Sequence, residues 1–310
     1  MAQVNMQQVK ELRDRTQAGL NDCRGALMEA DGEMEKAVEI ILKKGLAKSA
    51  KRAGAVASEG TVAAQVAADG KSGVLIEVNI QTDFAARNDD FVTFAKNVLE
   101  LASRSPKDAD LLTLPYPAGG GTVEEVRQAL VGKLGENITV RRWEKFETKT
   151  GIVHSYVHLG GKIGVLLQVE VGNPAVLTNA GLLKFIDDTA MQVAAMAPLC
   201  LSTADVPADE KAKQTDIYNA QLADEGKPEK ARPKIIEGKL AKWMKEICLL
   251  EQVSVLDSEK TIQQQLEAVA KEVGTTLTIA RFVRYERGEG IVDKKKSEDF
   301  AAEVMKMTQA

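Results

Sequence analysis

Gly60-Thr61-Val62-Ala63-Ala64-Gln65-Val66-Ala67-Ala68-Asp69-Gly70-Lys71-Ser72-Gly73-Val74-Leu75-Ile76-Glu77-Val78 can be laid, without a gap, on the stretch that begins at Gly151. Val62 then meets Val153, Val66 meets Val157, Gly70 meets Gly161, Lys71 meets Lys162, Gly73 meets Gly164 and Val78 meets Val169. In both copies an alternating strand, a glycine turn and a more apolar strand predict a hairpin. Each hairpin is followed by residues at helical spacing. The first helix carries Phe91, Phe94, Val98 and Leu99; the second carries Leu182, Leu183, Ile186, Met191 and Val193 and stops before Pro198. The match resumes where Leu134–Val140 meets Val273–Ile279, and continues through Trp143 with Phe282, Phe146 with Tyr285 and Glu147 with Glu286. A helix precedes each of these final strands, and Thr122-Val123-Glu124-Glu125 opens the first as a capping box. The chain therefore predicts two β-β-α-α-β subdomains with antiparallel sheets, an α+β fold built by one duplication and not a solenoid. The subdomains are expected at residues 56–148 and 149–286.

The offset between the copies grows from 91 to 139 residues, so the second copy holds 48 extra residues. They fall at about 199–257 and read as two helices, near Pro207–Glu225 and from Pro228 or Pro233 to Cys248, broken at Gly226-Lys227-Pro228. Ile236, Leu240, Trp243 and Ile247 form a stripe on the second. A hairpin of helices this long projects roughly 30 Å as an arm. Two roles stand open for it: filling or dimer contact, or a surface for a partner or for self-association.

Residues 1–55 comprise a three-helix module and a linker. Val9 and Leu12 mark a short helix ending near Thr16, Asn21 or Asp22 can cap a second, and Met34, Val38, Ile41 and Leu42 mark a third that Gly45 would stop. Lys48, Lys51 and Arg52 then read as a solvated basic join, with a basic contact strip as the alternative. Residues 287–310 form a C-terminal module: after Arg287-Gly288-Glu289-Gly290, Phe300, Val304 and Met305 suggest a short helix that could dock on its own chain or on a partner.

The composition excludes several classes. A net charge of −4 in 310 residues argues against a general nucleic-acid binder. Cys23, Cys200 and Cys248 form neither a metal spacing nor a disulfide framework, which points to a reducing compartment, and Cys23 reads as a small core residue. No stretch has the length of a membrane span, and the N-terminus lacks the features of a secretory signal. The two histidines, His154 and His158, share a strand face without a third ligand nearby, so no metal site is expected. Gly119-Gly120-Gly121-Thr122 lacks the lysine of a P-loop and reads as a loop. With no clustered catalytic set and no cofactor motif, the chain reads as a binding or regulatory protein and not an enzyme.

One stretch admits two readings. In Glu77-Val78-Asn79-Ile80-Gln81-Thr82-Asp83-Phe84-Ala85-Ala86-Arg87-Asn88 a strand runs into a polar stop and a helix. Either Thr82 or Asp83 caps the helix and Phe84 tucks into the core, or Asp83 and Phe84 form a tip that enters another protein.

Two motifs bear on that choice. Leu12-Arg13-Asp14-Arg15-Thr16-Gln17-Ala18-Gly19-Leu20-Asn21-Asp22-Cys23-Arg24-Gly25-Ala26-Leu27 resembles the N-terminal signature of the bacterial elongation factor Ts family, and Glu77–Arg87 resembles its second signature, centred on Thr-Asp-Phe. The order of parts is similar throughout: a ubiquitin-associated-like (UBA-like) module, two related core subdomains, a helical hairpin in the second and a C-terminal module. Gln17, Arg24-Gly25, Ala85 and Gln192 depart from the family's usual residues. The resemblance implies a guanine-nucleotide exchange factor for elongation factor Tu, bound to both its GDP and nucleotide-free forms, without cofactor, membrane or direct nucleic-acid contact. It implies that Thr82, Asp83, Phe84 and Ala85 act beside the Mg²⁺ site of Tu's GTP-binding domain. Leu12, Arg13, Thr16, Gly19 and Leu20 are implied as contacts of the N-terminal module with that same domain, the C-terminal module touches it too, and the second subdomain reaches another Tu domain. A dimer or a 2:2 assembly with Tu is compatible with it. The rival from another class is an adaptor that uses the module and the arm without promoting exchange.

Overall fold

The computed structural model describes residues 4–16 and 18–292. Gln17 and the expected tail helix around Phe300, Val304 and Met305 lie outside the described residues. Three helices come first: α1 (Met6–Thr16), α2 (Leu20–Glu29) and α3 (Met34–Arg52). Two three-stranded antiparallel sheets follow, β1 (Glu59–Val66), β2 (Ser72–Ile80) and β3 (Ile138–Glu147), then β4 (Ile152–His158), β5 (Ile163–Val171) and β6 (Leu277–Glu286). In each sheet the second strand is central. The fold is α+β.

From Gly73 onward every residue of β2 is buried, which requires cover on both faces of the strand. Alternation assigns the faces. Val74, Ile76, Val78 and Ile80 enter a core with Phe91, Phe94 and Val98 of α5 (Asp89–Arg104) and Val131 of α6 (Val123–Leu134). Leu75 points the other way, into a core it shares with Val153 and Leu166 of the second sheet. β5 repeats the arrangement, with Val165, Leu167 and Val169 packed against Leu182 and Ile186 of α7 (Ala180–Met196) and Leu266 of α10 (Ile262–Val273). The layers therefore run helix, sheet, sheet, helix.

Between α7 and α10 stands the arm, α8 (Ala208–Asp224) and α9 (Arg232–Ile247). Leu222, Ile236 and Leu240 are buried between its helices, and Gly226 turns it at φ +72°. At its base the Leu249 N–H donates to Cys200 O at 2.9 Å. Among the described residues no helix is long and apolar enough to cross a membrane.

Two helix boundaries differ from expectation. α2 starts at Leu20 with Gly19 at its N-cap, so Asn21 and Asp22 sit inside the first turn, where Asp22 complements the helix dipole. α3 does not stop at Gly45 but runs to Arg52. Gly45 faces α6, where an added Cβ would make ordinary van der Waals contact, 3.7 Å from the Gln128 carbonyl. The basic join is thus helical as far as Arg52, and Lys51 and Arg52 are exposed.

The two sheets meet through contacts that cross between the copies in matched pairs. The Val62 N–H donates to Gly161 O and the Val153 N–H to Gly70 O, both at 2.8 Å. The Thr148 N–H donates to Lys71 O (2.9 Å) and the Arg287 N–H to Lys162 O (2.8 Å). The Arg142 guanidinium lies 4.2 Å from the Tyr285 ring centroid, and Arg281 lies 4.0 Å from that of Phe146. Even the bulges agree, at Glu77/Val78 and Gln168/Val169.

Glu77 is the buried charge at this junction. Its carboxylate accepts from Arg142 Nε (2.6 Å), the Gly288 N–H (2.7 Å), Asn79 Nδ2 (2.9 Å) and Arg141 (3.0 Å). Burial pushes its pKa up, but the Gly288 N–H, the Asn79 amide and the Arg142 guanidinium together hold it below the usual carboxylate value. Gly288 belongs to the segment after β6, so Glu77 also ties the far end of the described chain to the first sheet. Replacing Glu77 by alanine leaves two arginines, the Asn79 amide and the Gly288 N–H without their acceptor and should cost about 3–5 kcal/mol in urea denaturation. Because its native pKa is depressed, the stability Glu77 supplies is complete above its ordinary value of 4.5 and is lost as pH falls through the lower native value. Acid titration of stability should therefore be less steep in Glu77→Gln than in the unsubstituted protein.

Candidate functional site

The strand β2 ends at Ile80, and the chain turns at once into α4 (Asp83–Ala86), a single helical turn. Thr82 makes that turn. Its Oγ1 accepts the Ala85 N–H at 3.2 Å, the N-cap expected of a threonine. Its own N–H and hydroxyl donate to the Glu136 carboxylate at 3.0 and 2.8 Å. Glu136 lies in the loop just before β3, so the base of the turn is fixed from two sides. On the far side Asn88 caps α5 through the Asp90 N–H (2.9 Å). Ala85 is 8% exposed and faces the core of the first sheet.

Phe84 points the other way. Its side chain is 86% exposed, more than any other large apolar residue among those described. Asp83 is exposed beside it and makes one loose pair, 3.4 Å from Arg87. Capping and protrusion thus coexist: Thr82 caps, Ala85 seats the turn, and Asp83 with Phe84 stand exposed.

The residues implied for the N-terminal module divide. Leu12 is fully buried among Val9, Cys23, Ala26 and Leu27, so its side chain builds the module's core. Its periodic apolar position carried that signal, since Val9 and Leu12 share one helix face. Thr16 is half-buried and its hydroxyl donates to Leu12 O at 2.7 Å. Arg13 and Leu20 are exposed. Gly19 is half-buried in a crevice against Gly132 and Lys133 of α6. The motif thus also seats the module on the first sheet's helices. Cys23 lies in that core, where burial pushes its thiol pKa up.

Gln192, one of the departures, is fully buried. Its amide nitrogen donates to Gln252 Oε1 (3.0 Å) and Val253 O (3.2 Å), and its oxygen accepts the Val255 N–H (2.8 Å). It fixes the loop between arm and α10, a role with no local sequence signal because its partners lie about 60 residues away. His154 pairs with Asp187 at 2.9 Å, and His158 lies 2.9 Å from the Tyr156 hydroxyl.

With this geometry in hand, comparison with known proteins places the chain. The family model described as Elongation factor TS matches residues 81–289. A protein named Elongation factor Ts from Clostridium perfringens (strain SM101 / Type A) is 47% identical over 307 residues, covering 98% of this chain and 99% of the relative. Proteins of the same name from Clostridium botulinum (strain Alaska E43 / Type E3) and Clostridium acetobutylicum are each 45% identical, over 98% and 99% of both partners respectively.

The tip should behave as a surface feature and its base as a structural one. Phe84→Ala should change unfolding free energy by no more than about 0.5 kcal/mol. Thr82→Ala loses the cap and both bonds to Glu136 and should cost at least about 1 kcal/mol in the same denaturation experiment.

Proposed function

Because the chain belongs to the elongation factor Ts family, a family of translation elongation factors, we propose that it is the guanine-nucleotide exchange factor of elongation factor Tu. The observation that carries this reading is the free aromatic ring of Phe84 on a turn fixed at its base. An unpartnered ring on a yielding loop would fold back on contact; one held by Thr82 and Glu136 can displace what it meets.

The mechanism follows from how a GTPase holds GDP. Backbone donors, a lysine and a Mg²⁺ ion neutralise the phosphates, and Mg²⁺ tolerates little departure from octahedral geometry. Phe84 pushes apart side chains that support the ion, and Asp83 accepts hydrogen bonds from groups freed by the shift. A role for Asp83 as a new ligand of the ion would retain the metal and slow release. No covalent step is needed, and the factor leaves unchanged.

Linkage sets the scale. If the factor lowers Tu's affinity for GDP by some ratio, GDP lowers Tu's affinity for the factor by the same ratio. Each tenfold is about 1.4 kcal/mol. One ring cannot supply several such steps, so the rest of the chain must bind empty Tu over a wide surface. We assign that task to a UBA-like module within residues 1–55, through Arg13, Leu20 and neighbours, to core subdomains 56–148 and 149–286, and to a C-terminal module from 287. The arm at 199–257 extends from the second subdomain. The site of action is the cytoplasm, where translation elongation takes place.

Stopped-flow release of fluorescent GDP from purified Tu tests this reading. The protein should accelerate release, and Phe84→Ala should reduce the acceleration by at least about tenfold, the range of a binding hot spot; near-normal acceleration would rule out the wedge. Isothermal titration with and without GDP should return equal coupling ratios in both directions, as reciprocity requires.

A further inference from the structure

The arm leaves the second half and returns to it through two short roots, and each root carries a cysteine. Cys200 stands ahead of α8, and Cys248 directly follows α9. The roots run side by side. The Leu199 and Cys200 N–H groups donate to Ile247 O at 2.8 and 3.2 Å, and the Leu250 N–H donates to Leu201 O at 3.0 Å. With the Leu249 bond to Cys200 O, these pair Cys200 with Cys248 in parallel. Paired residues on neighbouring strands point to one face, with the strands about 4.8 Å apart. That spacing falls inside the Cα separation of roughly 4.4–6.8 Å that a disulfide spans.

Both cysteines are free thiols. Cys248 is fully buried, whereas Cys200 is 9% exposed and adjoins Leu199, which is 69% exposed. The open side of the pair is thus that of Cys200. Burial pushes the Cys248 thiol up to about 11, and Cys200, Glu251 and Asp205 add to the shift. Burial and Asp205 raise Cys200 as well. Thiols held protonated in this way react slowly, so the pair stays reduced until an oxidant persists. The third cysteine, Cys23, lies in the core of the N-terminal module and serves as an internal reference.

We infer that Cys200 and Cys248 form a modification site for hydroperoxides, closing to an intrachain disulfide that locks the roots of the arm. The Cys200 thiolate attacks the terminal peroxide oxygen. The O–O bond breaks, the leaving oxygen takes up the proton that Cys200 lost and departs as water or an alcohol, and the sulfur becomes a sulfenic acid. The Cys248 thiolate then attacks that sulfur. An S–S bond forms, the S–O bond breaks, and hydroxide leaves as water with the Cys248 proton. The two thiols give up two electrons and the hydroperoxide takes them. The bond would close the whole arm into one ring between cysteines 48 positions apart, a length at which a cross-link removes much of the freedom of the opened chain. None of this depends on the proposed function.

The test uses the full-length protein, reduced, freed of reductant, treated with hydrogen peroxide and digested without reductant. Mass spectrometry should find the peptide of Cys200 joined to that of Cys248 in a single chain lighter by two hydrogen atoms, and dithiothreitol should reverse the change. Amide hydrogen exchange at Leu249 and Leu250 should slow at least about tenfold on oxidation. Cys248→Ala should halt at the Cys200 sulfenic acid, which dimedone labels, and Cys200→Ser should leave Cys248 a thiol. Recovery of both cysteines as thiols, oxidation of Cys200 to the sulfinic acid without a cross-link, a bond to Cys23 or a bond between two chains would each overturn the site. An unchanged exchange rate at the roots would overturn the lock. The first readout needs only the unsubstituted protein, so misfolding of a variant cannot imitate its result.

Discussion

A Cβ at Gly73 would sit 2.7 Å from Val153 Cγ1, and one at Gly164 would sit 2.5 Å from Val62 Cγ1. Neither position has room for a side chain, and the two are counterparts in the repeat. The valine and leucine of each sheet fill the hollow left by the other's glycine: Val153 and Leu166 over Gly73, Val62 and Leu75 over Gly164. Everything else depends on this approach. It brings the backbone bonds of Val62 and Val153 within reach, stacks Arg142 on Tyr285 and Arg281 on Phe146, and closes a groove that lies beside the tip. Such a contact is self-complementary in the manner of a twofold interface, here within one chain.

The crossing polar groups show how a duplicated pair diverged while keeping its geometry. In the first half a glutamate at 77 binds an asparagine at 79; in the second a glutamine at 168 binds a glutamate at 170. Arg142 and Arg281 approach position 77 and its counterpart 168 through Nε alike, at 2.6 and 2.8 Å. The charge moves by two residues and finds different partners. Glu77 takes the Gly288 N–H and two arginines, whereas Glu170 is held by Thr148 and Thr150. The fully buried charge therefore sits where the end of the described chain returns to the first sheet. That choice costs more desolvation than an amide would, and it gives a return segment of few apolar residues a fixed seat.

Much of the architecture was legible in the sequence because periodicity and repetition are local signals. The hairpins, their order, the capping box at Thr122 and the helices of the inserted arm all follow from spacing within short windows. Other features were not legible, for stated reasons. Gly45 reads as a stop because glycine ends many helices, but α3 runs through it to Arg52, and packing against α6 overrides the local signal. Leu12 lies inside a motif and on an apolar stripe at once, and the stripe prevailed. For Phe84 the residue types allowed both burial and protrusion. What decides is that Ala85 takes the inward position and Thr82 the cap, leaving the ring no place in the core. The docking of one sheet on the other was hidden because it requires matching side chains about 90 residues apart.

A wedge can do work on a neighbour only if it yields less than the neighbour does. The tip is held at its base and not through the ring itself: Thr82 and Glu136 fix the turn, and Phe84 makes no buried contact. Leaving a phenylalanine in water forgoes about 1.5–3 kcal/mol of burial, and holding Leu159 in left-handed geometry adds strain. Neither feature helps this chain fold. Covering either with apolar surface from elsewhere would recover that free energy. Placing one on each half makes their separation a property of the Gly73–Gly164 contact.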